Sequence, residues 1–595
     1  MRYPLLNVQR SSRQMVDVFN GYNHNMRIGE GEFLDMKNMT SDYYPVLSPR
    51  SHRGVYASPE LPLGMIEKDS LCYVDGQYFV MNEYKIDMGL NDEPKQLISM
   101  GAYVIILPDK KYINTADITD FGNIEAEFTT NAPVSFVLCR VDGSAYNAEY
   151  IQPEEPKGPE GPKNMTLWLD TSNEPYTLKQ WSESSEVWVS IPTTYVKIES
   201  PGIGKAFEKY DGIQISGLKD TQLHDSNSGE PIVDTSDLAA LDGSTVVWEK
   251  GDDYIVVVGV MDRVYSISDP VTVSRKMPNM DFVVEANNRL WGCRYGTAIN
   301  GNVVNEIYCS KLGDFKNWNC FMGIATDSWV GSVGTDGQFT GAITHLGYPL
   351  FFKENVLHKV YISDIGAHGI QDTACRGVQG GCNRSLAIVN ETLFYKARSG
   401  VMAYDGSLPV EVSAELGDVR YGSAVACGHG NKYYISMENS SEKTHALFVY
   451  DVPKRMWHRE DDLMVDAFCS CRGELYAISG GKILTMLGSG VRDTAPVEWM
   501  VQTGEIGISS PDMKYISRIT VRLSMDVGAQ LSMYAQYDFS DTWEKVCTLS
   551  STNLRSFSIP IRPKRCDHMR LRIEGVGMAK IYSVTKTIEQ GSELS

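Results

Sequence analysis

Short alternating runs of apolar and polar residues dominate this chain, and long stretches with a helical period are almost absent. The runs QYFVMNEY, AYVIILPD, YIVVVGVM, NRLWGCRY, PLFFKEN, TLFYKARS, KYYISMEN and ELYAISGG are each bounded by turn residues. Alternation with period two puts successive side chains on opposite faces of a strand, so these runs predict an all-β protein. Several share a local grammar: a turn residue, one spacer, then a large apolar or aromatic pair. It recurs at Gly76, Asn288, Gly347, Glu391, Asn431 and Gly473, and from Gly347 onward the steps are 44, 40 and 42 residues. Such a step fits one four-stranded propeller blade per repeat. The predicted fold class is therefore all-β, with propeller-like repeats of antiparallel strands, an inserted β-domain and a C-terminal β-sandwich.

The punctuation between the runs suggests five segments. Residues 1–55 form an N-terminal arm and first strand, and residues 56–114 the first part of a propeller. Residues 115–248 read as one or more inserted β-domains. They hold a Pro/Gly/charge run, IQPEEPKGPEGPKN, expected as an exposed linker or loop tip, and a polar loop, HDSNSGEPIVDTSD. Residues 249–486 carry the main propeller repeats. Residues 497–595 contain YISRITVRLSM, QLSMYAQYD, RSFSIPIRP and MRLRIEGVG, the pattern of a small antiparallel sandwich.

Three hairpin motifs add to the repeat signal. Asp314 precedes Trp318, Asp451 precedes Trp457, and Asp538 precedes Trp543. In a hairpin the Asp can accept hydrogen bonds from turn amides while the Trp covers the strand pair. These are structural motifs, with no catalytic role expected.

Composition narrows the chemistry. A net charge of −20 disfavours tight non-specific binding to nucleic acid or anionic membrane. The 12 cysteines include no CxxC pair and sit mostly in apolar surroundings, as reduced core thiols do. No apolar run follows Arg2, so a signal peptide is not expected. No phosphate-binding, dinucleotide-binding, zinc-protease or nucleophile-elbow motif occurs, and no cofactor or metal is expected. Acidic residues cluster at REDD (459–462), KGDD (250–253) and EEP (154–156). Glycan hydrolysis needs two carboxylates across a cleft, which sequence spacing alone does not establish.

One stretch stands apart: GYNHNMRIGEGEFLDMKNMTSDYYPVLSPRSHRG, residues 21–54. It is irregular and rich in Gly, Asn, Asp and Pro, yet it carries Phe33, Leu34, Met36, Met39, Tyr43, Tyr44, Val46 and Leu47. A disordered tail would not hold so many large apolar groups. The segment resembles the N-terminal signature of DNA-stabilisation and tail-nozzle (head-to-tail completion) proteins of tailed bacteriophages. The matching positions are Asp35, Asn38, Pro45, Leu47, Pro49, Arg50, Arg53 and Gly54. The resemblance is strongest over the first 55 residues. It implies a structural virion protein that is not an enzyme, made in the bacterial cytoplasm and located in the tail. Its implied partners are copies of itself in a ring of about six, adaptor or portal-proximal proteins, tail fibres, and double-stranded DNA that passes without specific binding. Two alternatives stand beside it. One is a tail-tip host-recognition or glycan-binding protein, for which Trp181 and Trp188 in WSESSEVW are candidates; the other is a propeller-type glycan hydrolase. The arm is completed by neighbouring elements of its own propeller or of an adjacent subunit, where Arg50 and Arg53 could form two-pronged pairs with carboxylates, or it is an ordinary loop and strand closing the propeller in its own chain, with Arg50 and Arg53 in surface pairs.

Overall fold

The computed structural model describes residues 11–155, 159, 163–219, 223, 236–297, 301–362, 367–492, 495–508, 513–538, 540–562 and 564–590. Much of the expected linker at 151–164 and most of the polar loop at 224–237 lie outside these residues. The regular structure of the described residues is nearly all β, as the alternation requires. Among the described residues no helix is long and apolar enough to cross a membrane.

Two compact units are present. The first comprises Met1–Leu97, Phe339–Lys359 and Asp372–Ser595; the second comprises Ile98–Gln338 and Val360–Gln371. In the first unit the repeats fold as antiparallel meanders. The strands Ala387–Val389, Thr392–Lys396, Val401–Tyr404 and Val410–Glu411 make one sheet. Tyr421–His429, Lys432–Asn439, His445–Asp451 and Met456–Arg459 begin the next. The strands Ala467–Cys471, Glu474–Ser479 and Lys482–Thr485 follow. Pro62–Lys68, Ser70–Asp75, Tyr78–Met81 and Tyr84–Asp87 form another. The first strands of these four sheets neighbour one another in that order, which is the arrangement of propeller blades. Each grammar pair supplies a blade core: Leu393, Phe394, Tyr433, Leu475 and Phe79 are buried.

The C-terminal residues form two facing sheets. One runs Ser11–Val16, Ala579–Gln590, Lys514–Met525, Arg555–Pro560, and the other includes Glu498–Thr503, Met569–Val576, Gln530–Tyr537 and Glu544–Leu549. Alternate residues Ile519, Val521 and Leu523 meet Leu531, Met533, Leu571 and Ile573 in one core. This sandwich recruits its edge from the far end of the chain: Ser11–Val16 pairs antiparallel with Ala579–Gln590, Ser12 opposite Ile588.

The sticky segment at 21–57 explains itself here. Gly21–Tyr22 pairs with Met456–Arg459 through Tyr22 and Trp457. Glu32–Lys37 then pairs with Glu498–Thr503, Met36 opposite Val501. A propeller blade and a sandwich sheet are thereby joined into one ten-stranded sheet. Gly54–Ala57 goes on to pair with Lys482–Thr485, supplying the fourth strand that this blade lacks. Tyr22, Phe33, Met36, Met39 and Leu47 of the segment are buried in the same core together with Phe19, whereas Tyr43 and Tyr44 stay exposed. Gly21 takes the positive φ of 84° that the entry demands, and an added Cβ would strike the Trp457 carbonyl oxygen.

The second unit holds further antiparallel sheets. Phe282–Ala286, Arg289–Thr297, Val303–Cys309 and Trp329–Ser332 form a meander. Gln96–Met100, Tyr103–Leu107, Lys111–Asn114 and Phe121–Asn123 form another. Strands from Ala126 to Arg275 build three more sheets, and most of these residues' apolar side chains close a separate core around Phe136, Ile198, Phe207 and Val257.

Phe33 is 3% exposed and its ring stacks on Phe19 at 5.9 Å. We expect Phe33→Ala to destabilise the first unit by about 3–5 kcal/mol, read from the midpoint of urea denaturation.

Candidate functional site

The residues that carry the family resemblance converge where the arm crosses the propeller and the sandwich. Arg53 donates from Nη1 to Asp461 Oδ2 at 2.7 Å and from Nη2 to Glu460 Oε2 at 2.8 Å. Arg50 Nη2 reaches Asp461 Oδ2 at 3.3 Å, and its Nε lies 3.5 Å from Glu460 Oε2. The four side chains are between 9% and 19% exposed, so these are largely buried pairs rather than the surface pairs an ordinary closing strand would have. Their partners come from the same chain, from the REDD run. Guanidinium forks match carboxylates in two-pronged geometry, which lysine could not reproduce.

Asn38 organises the crossing. It adopts the left-handed φ of 57°, which asparagine tolerates better than most residues. Its side-chain Nδ2 donates to the Glu498 carbonyl at 2.8 Å, its Oδ1 accepts from Arg50 Nε at 2.9 Å, and its backbone N–H donates to the Glu460 carbonyl. One residue therefore holds a sandwich strand, the arm and the end of a blade. Asp35 caps the Met36 amide at 2.9 Å and accepts from Arg459 Nη1 at 3.2 Å. The Pro45 carbonyl accepts from the Phe19 amide at 3.3 Å. Gly54 pairs with both Thr485 and Arg492. Asp35, Asn38, Pro45, Arg50, Arg53 and Gly54 thus all lie along the arm's path through the first unit.

Arg50 lines two cavities. One, of about 590 Å3, is lined by Lys37, Asn38, Arg53 and Glu498 among others. The other, of about 580 Å3, is lined by Asp42, Lys432, Tyr434, Asp451, Lys454 and Glu460 among others. In the second, Lys432 reaches Asp42 at 2.5 Å and Lys454 reaches Asp451 at 2.9 Å, so each cation is matched by an anion.

Electrostatics follow from burial. Burial alone would push the Asp461 carboxyl up, but the Arg53 and Arg50 charges and the Arg53 hydrogen bonds overcome it and hold Asp461 below its ordinary value. Arg53 is held above its ordinary value by Glu460 and Asp461 against its own desolvation.

The hairpin motifs take different settings. Asp314 accepts the Lys316 amide at 3.0 Å, and the buried Trp318 donates to the Phe315 carbonyl at 2.9 Å. Asp451 accepts the Lys454 amide at 3.3 Å and the Ser41 hydroxyl at 2.5 Å, while Trp457 is fully buried against Tyr450. Asp538 accepts the amides of Asp567 and His568, at 2.8 and 3.3 Å, from a different strand connection, and Trp543 lies under the Arg572 guanidinium at 4.2 Å.

A second cluster, which no sequence motif marks, lies in the second unit. The Tyr265 hydroxyl is 2.7 Å from Asp237 Oδ1 and 3.1 Å from Asp262 Oδ1, and the Asp262 amide donates to Asp237 Oδ2 at 3.0 Å. Burial pushes the Asp237 carboxyl up, while Arg263, bound to Asp262 at 2.6 Å, outweighs burial and holds Asp262 down. Two neighbouring carboxyls of opposite bias are the raw material of acid–base chemistry. Among the described residues no group of His, Cys, Asp or Glu has the arrangement of a metal site.

No protein-family model matches the chain, and no curated protein matches it. Among solved structures it is similar to an exo-β-1,3-galactanase from Phanerochaete chrysosporium with galactose, at 7% identity and TM-score 0.20 over 51% of this chain and 94% of that one. It is also similar to a glycoside hydrolase, at 11% identity and TM-score 0.20 over 50% of this chain and 96% of that one. Trypanosoma rangeli sialidase matches at 8% identity and TM-score 0.17 over 98% of this chain and 97% of that one. The expectation that the chain is not an enzyme is corrected by this finding, because these neighbours are glycan-cleaving enzymes. A likeness this distant carries no argument about a substrate of this chain.

Removing one partner of the buried cluster strands an uncompensated charge. We expect Arg53→Ala to cost about 3–5 kcal/mol in urea denaturation, against less than the sum of the single costs for Arg53→Ala with Asp461→Ala. Because the Asp461 carboxyl is depressed on folding, its contribution is present above the unfolded-state value of about 3.9 and lost as pH falls through the lower folded value. Melting temperature followed from pH 5 to pH 2 should therefore fall more steeply in the wild type than in Asp461→Asn.

Proposed function

We propose that this chain is a structural protein of a tailed-bacteriophage virion, of the nozzle or stopper type, that assembles as a ring in the tail, retains packaged DNA and conducts it during ejection. The observation that carries the reading is the course of residues 21–57. The segment that resembles the phage family threads two blades and the sandwich and is locked by Asn38, Arg50 and Arg53. Backbone pairing of this kind ties domains together more firmly than a flexible linker would, as suits a part that withstands the pressure of packed DNA. The net charge of −20 suits a conduit through which a polyanion passes without adhering. Completion of the arm in its own chain leaves ring formation to other surfaces. Mass photometry of the purified full chain tests the reading: a closed species of about six copies is expected, and a protein that remains monomeric at every concentration and is missing from purified particles overturns it.

A second reading, glycan hydrolysis, is favoured by the Asp237–Asp262 pair around Tyr265. Here Asp237, whose carboxyl burial pushes up, would be the proton donor, and Asp262, held down beside Arg263, the base. Reducing-end release from a panel of β-1,3-galactan, laminarin and sialosides is its test. Activity lost at least 100-fold in Asp237→Asn supports it, and no activity on any of these, or unchanged activity in Asp237→Asn, overturns it.

A further inference from the structure

The strands Tyr150–Gln152, Leu167–Asp170, Thr177–Ser182 and Val187–Ser190 form a small sheet in the second unit. Its register sorts the side chains sharply. Trp181 stands opposite Trp188, Lys179 opposite Ser190, and Trp168 opposite Lys179 and beside Tyr150. These residues share one face, because cross-strand neighbours point the same way. Leu167, Leu169 and Leu178 share the other face and are buried in the unit's core. The core face is thus the aliphatic one, and the three indoles lie on the face away from that core.

Trp188 sits between the other two rings, 5.3 Å from Trp168 and 5.4 Å from Trp181, tilted by 67° to each. Trp168 is 2% exposed and donates from Nε1 to the Gln152 carbonyl at 2.8 Å. Trp181 and Trp188 are half-buried, and among the described residues neither indole N–H has a protein acceptor. Beside them Lys179 Nζ lies 4.5 Å over the Trp168 ring and 2.7 Å from Asp170 Oδ2, so the charged pair closes on itself.

We propose that this face is a binding site for a neutral saccharide, independent of both functional readings above. Indole faces offer apolar area to the C–H side of a pyranose ring, and the free N–H groups offer donors to its hydroxyls. A ring with one apolar body and one polar handle fits such a ligand better than a purely aliphatic one. Charge selects within the class. The cation on the face is already matched by Asp170, and the chain carries −20, so an anionic glycan or nucleic acid meets repulsion while a neutral sugar does not.

Affinity gel electrophoresis of the full chain in laminarin, β-1,3-galactan and dextran tests the site, with polysialic acid as the anionic probe. At least one neutral polymer is expected to retard the wild type. Trp181→Ala and Trp188→Ala are each expected to weaken that retardation at least tenfold, and polysialic acid is expected to have no effect. Trp181→Phe keeps an aromatic ring and removes the N–H, so it reads the site even where an alanine variant misfolds; it is expected to weaken binding at least threefold. Retardation by none of the neutral polymers, by polysialic acid alone, or to the same degree in Trp181→Phe and Trp181→Ala as in the wild type overturns the proposal.

Discussion

Everything in the first unit depends on satisfying strand edges. A strand at the end of a sheet leaves a row of backbone donors and acceptors open, and an open edge invites pairing with other chains. Here one short N-terminal stretch covers three such edges. Tyr22 meets Trp457 at the outside of a blade, Met36 meets Val501 at the sandwich, and Val55 meets Leu484 at the incomplete last blade. The side chains of the same stretch then bury apolar area from both sides, so hydrogen bonding and packing act on the same residues.

The buried charges are subordinate to that pairing, and they make it specific. A cluster of two arginines and two carboxylates adds little net stability over a well-packed apolar alternative, since desolvation offsets much of the attraction. It does, however, penalise any misplacement of the arm, because a slipped register would leave charges buried and unmatched. Asn38 enforces the same choice without charge. Its left-handed backbone and two-sided amide fit one arrangement of arm, blade end and sandwich strand.

The all-β class and the blade repeats were legible in the sequence because period-two alternation and a step near 42 residues are local signals. Leu393–Phe394 and Tyr433–Tyr434 announce buried blade strands by themselves. The arm was legible only as a contradiction, irregular in pattern yet apolar in content. Its partners lie more than 400 residues away, at Glu460, Asp461 and Glu498, and no periodicity encodes a pairing over that distance. The REDD run looked like one acidic cluster among many until Arg50 and Arg53 were seen to neutralise it. Asp237 and Asp262 left no trace in sequence, since only the fold brings the Tyr265 hydroxyl and the Asp262 amide to Asp237. The tryptophans of WSESSEVW were visible as composition, but Trp168 joins them only through cross-strand register.

The pairing of Ser11–Val16 with Ala579–Gln590 sets a condition on synthesis. The earlier strand must wait for the later one to be made, on the order of a minute at roughly 5–20 residues per second. Through that interval the edge of Ser11–Val16 lacks its final partner strand. The blade meanders pair strands made one after another, whereas this sandwich sheet gains its edge strand only once the last strand has been made.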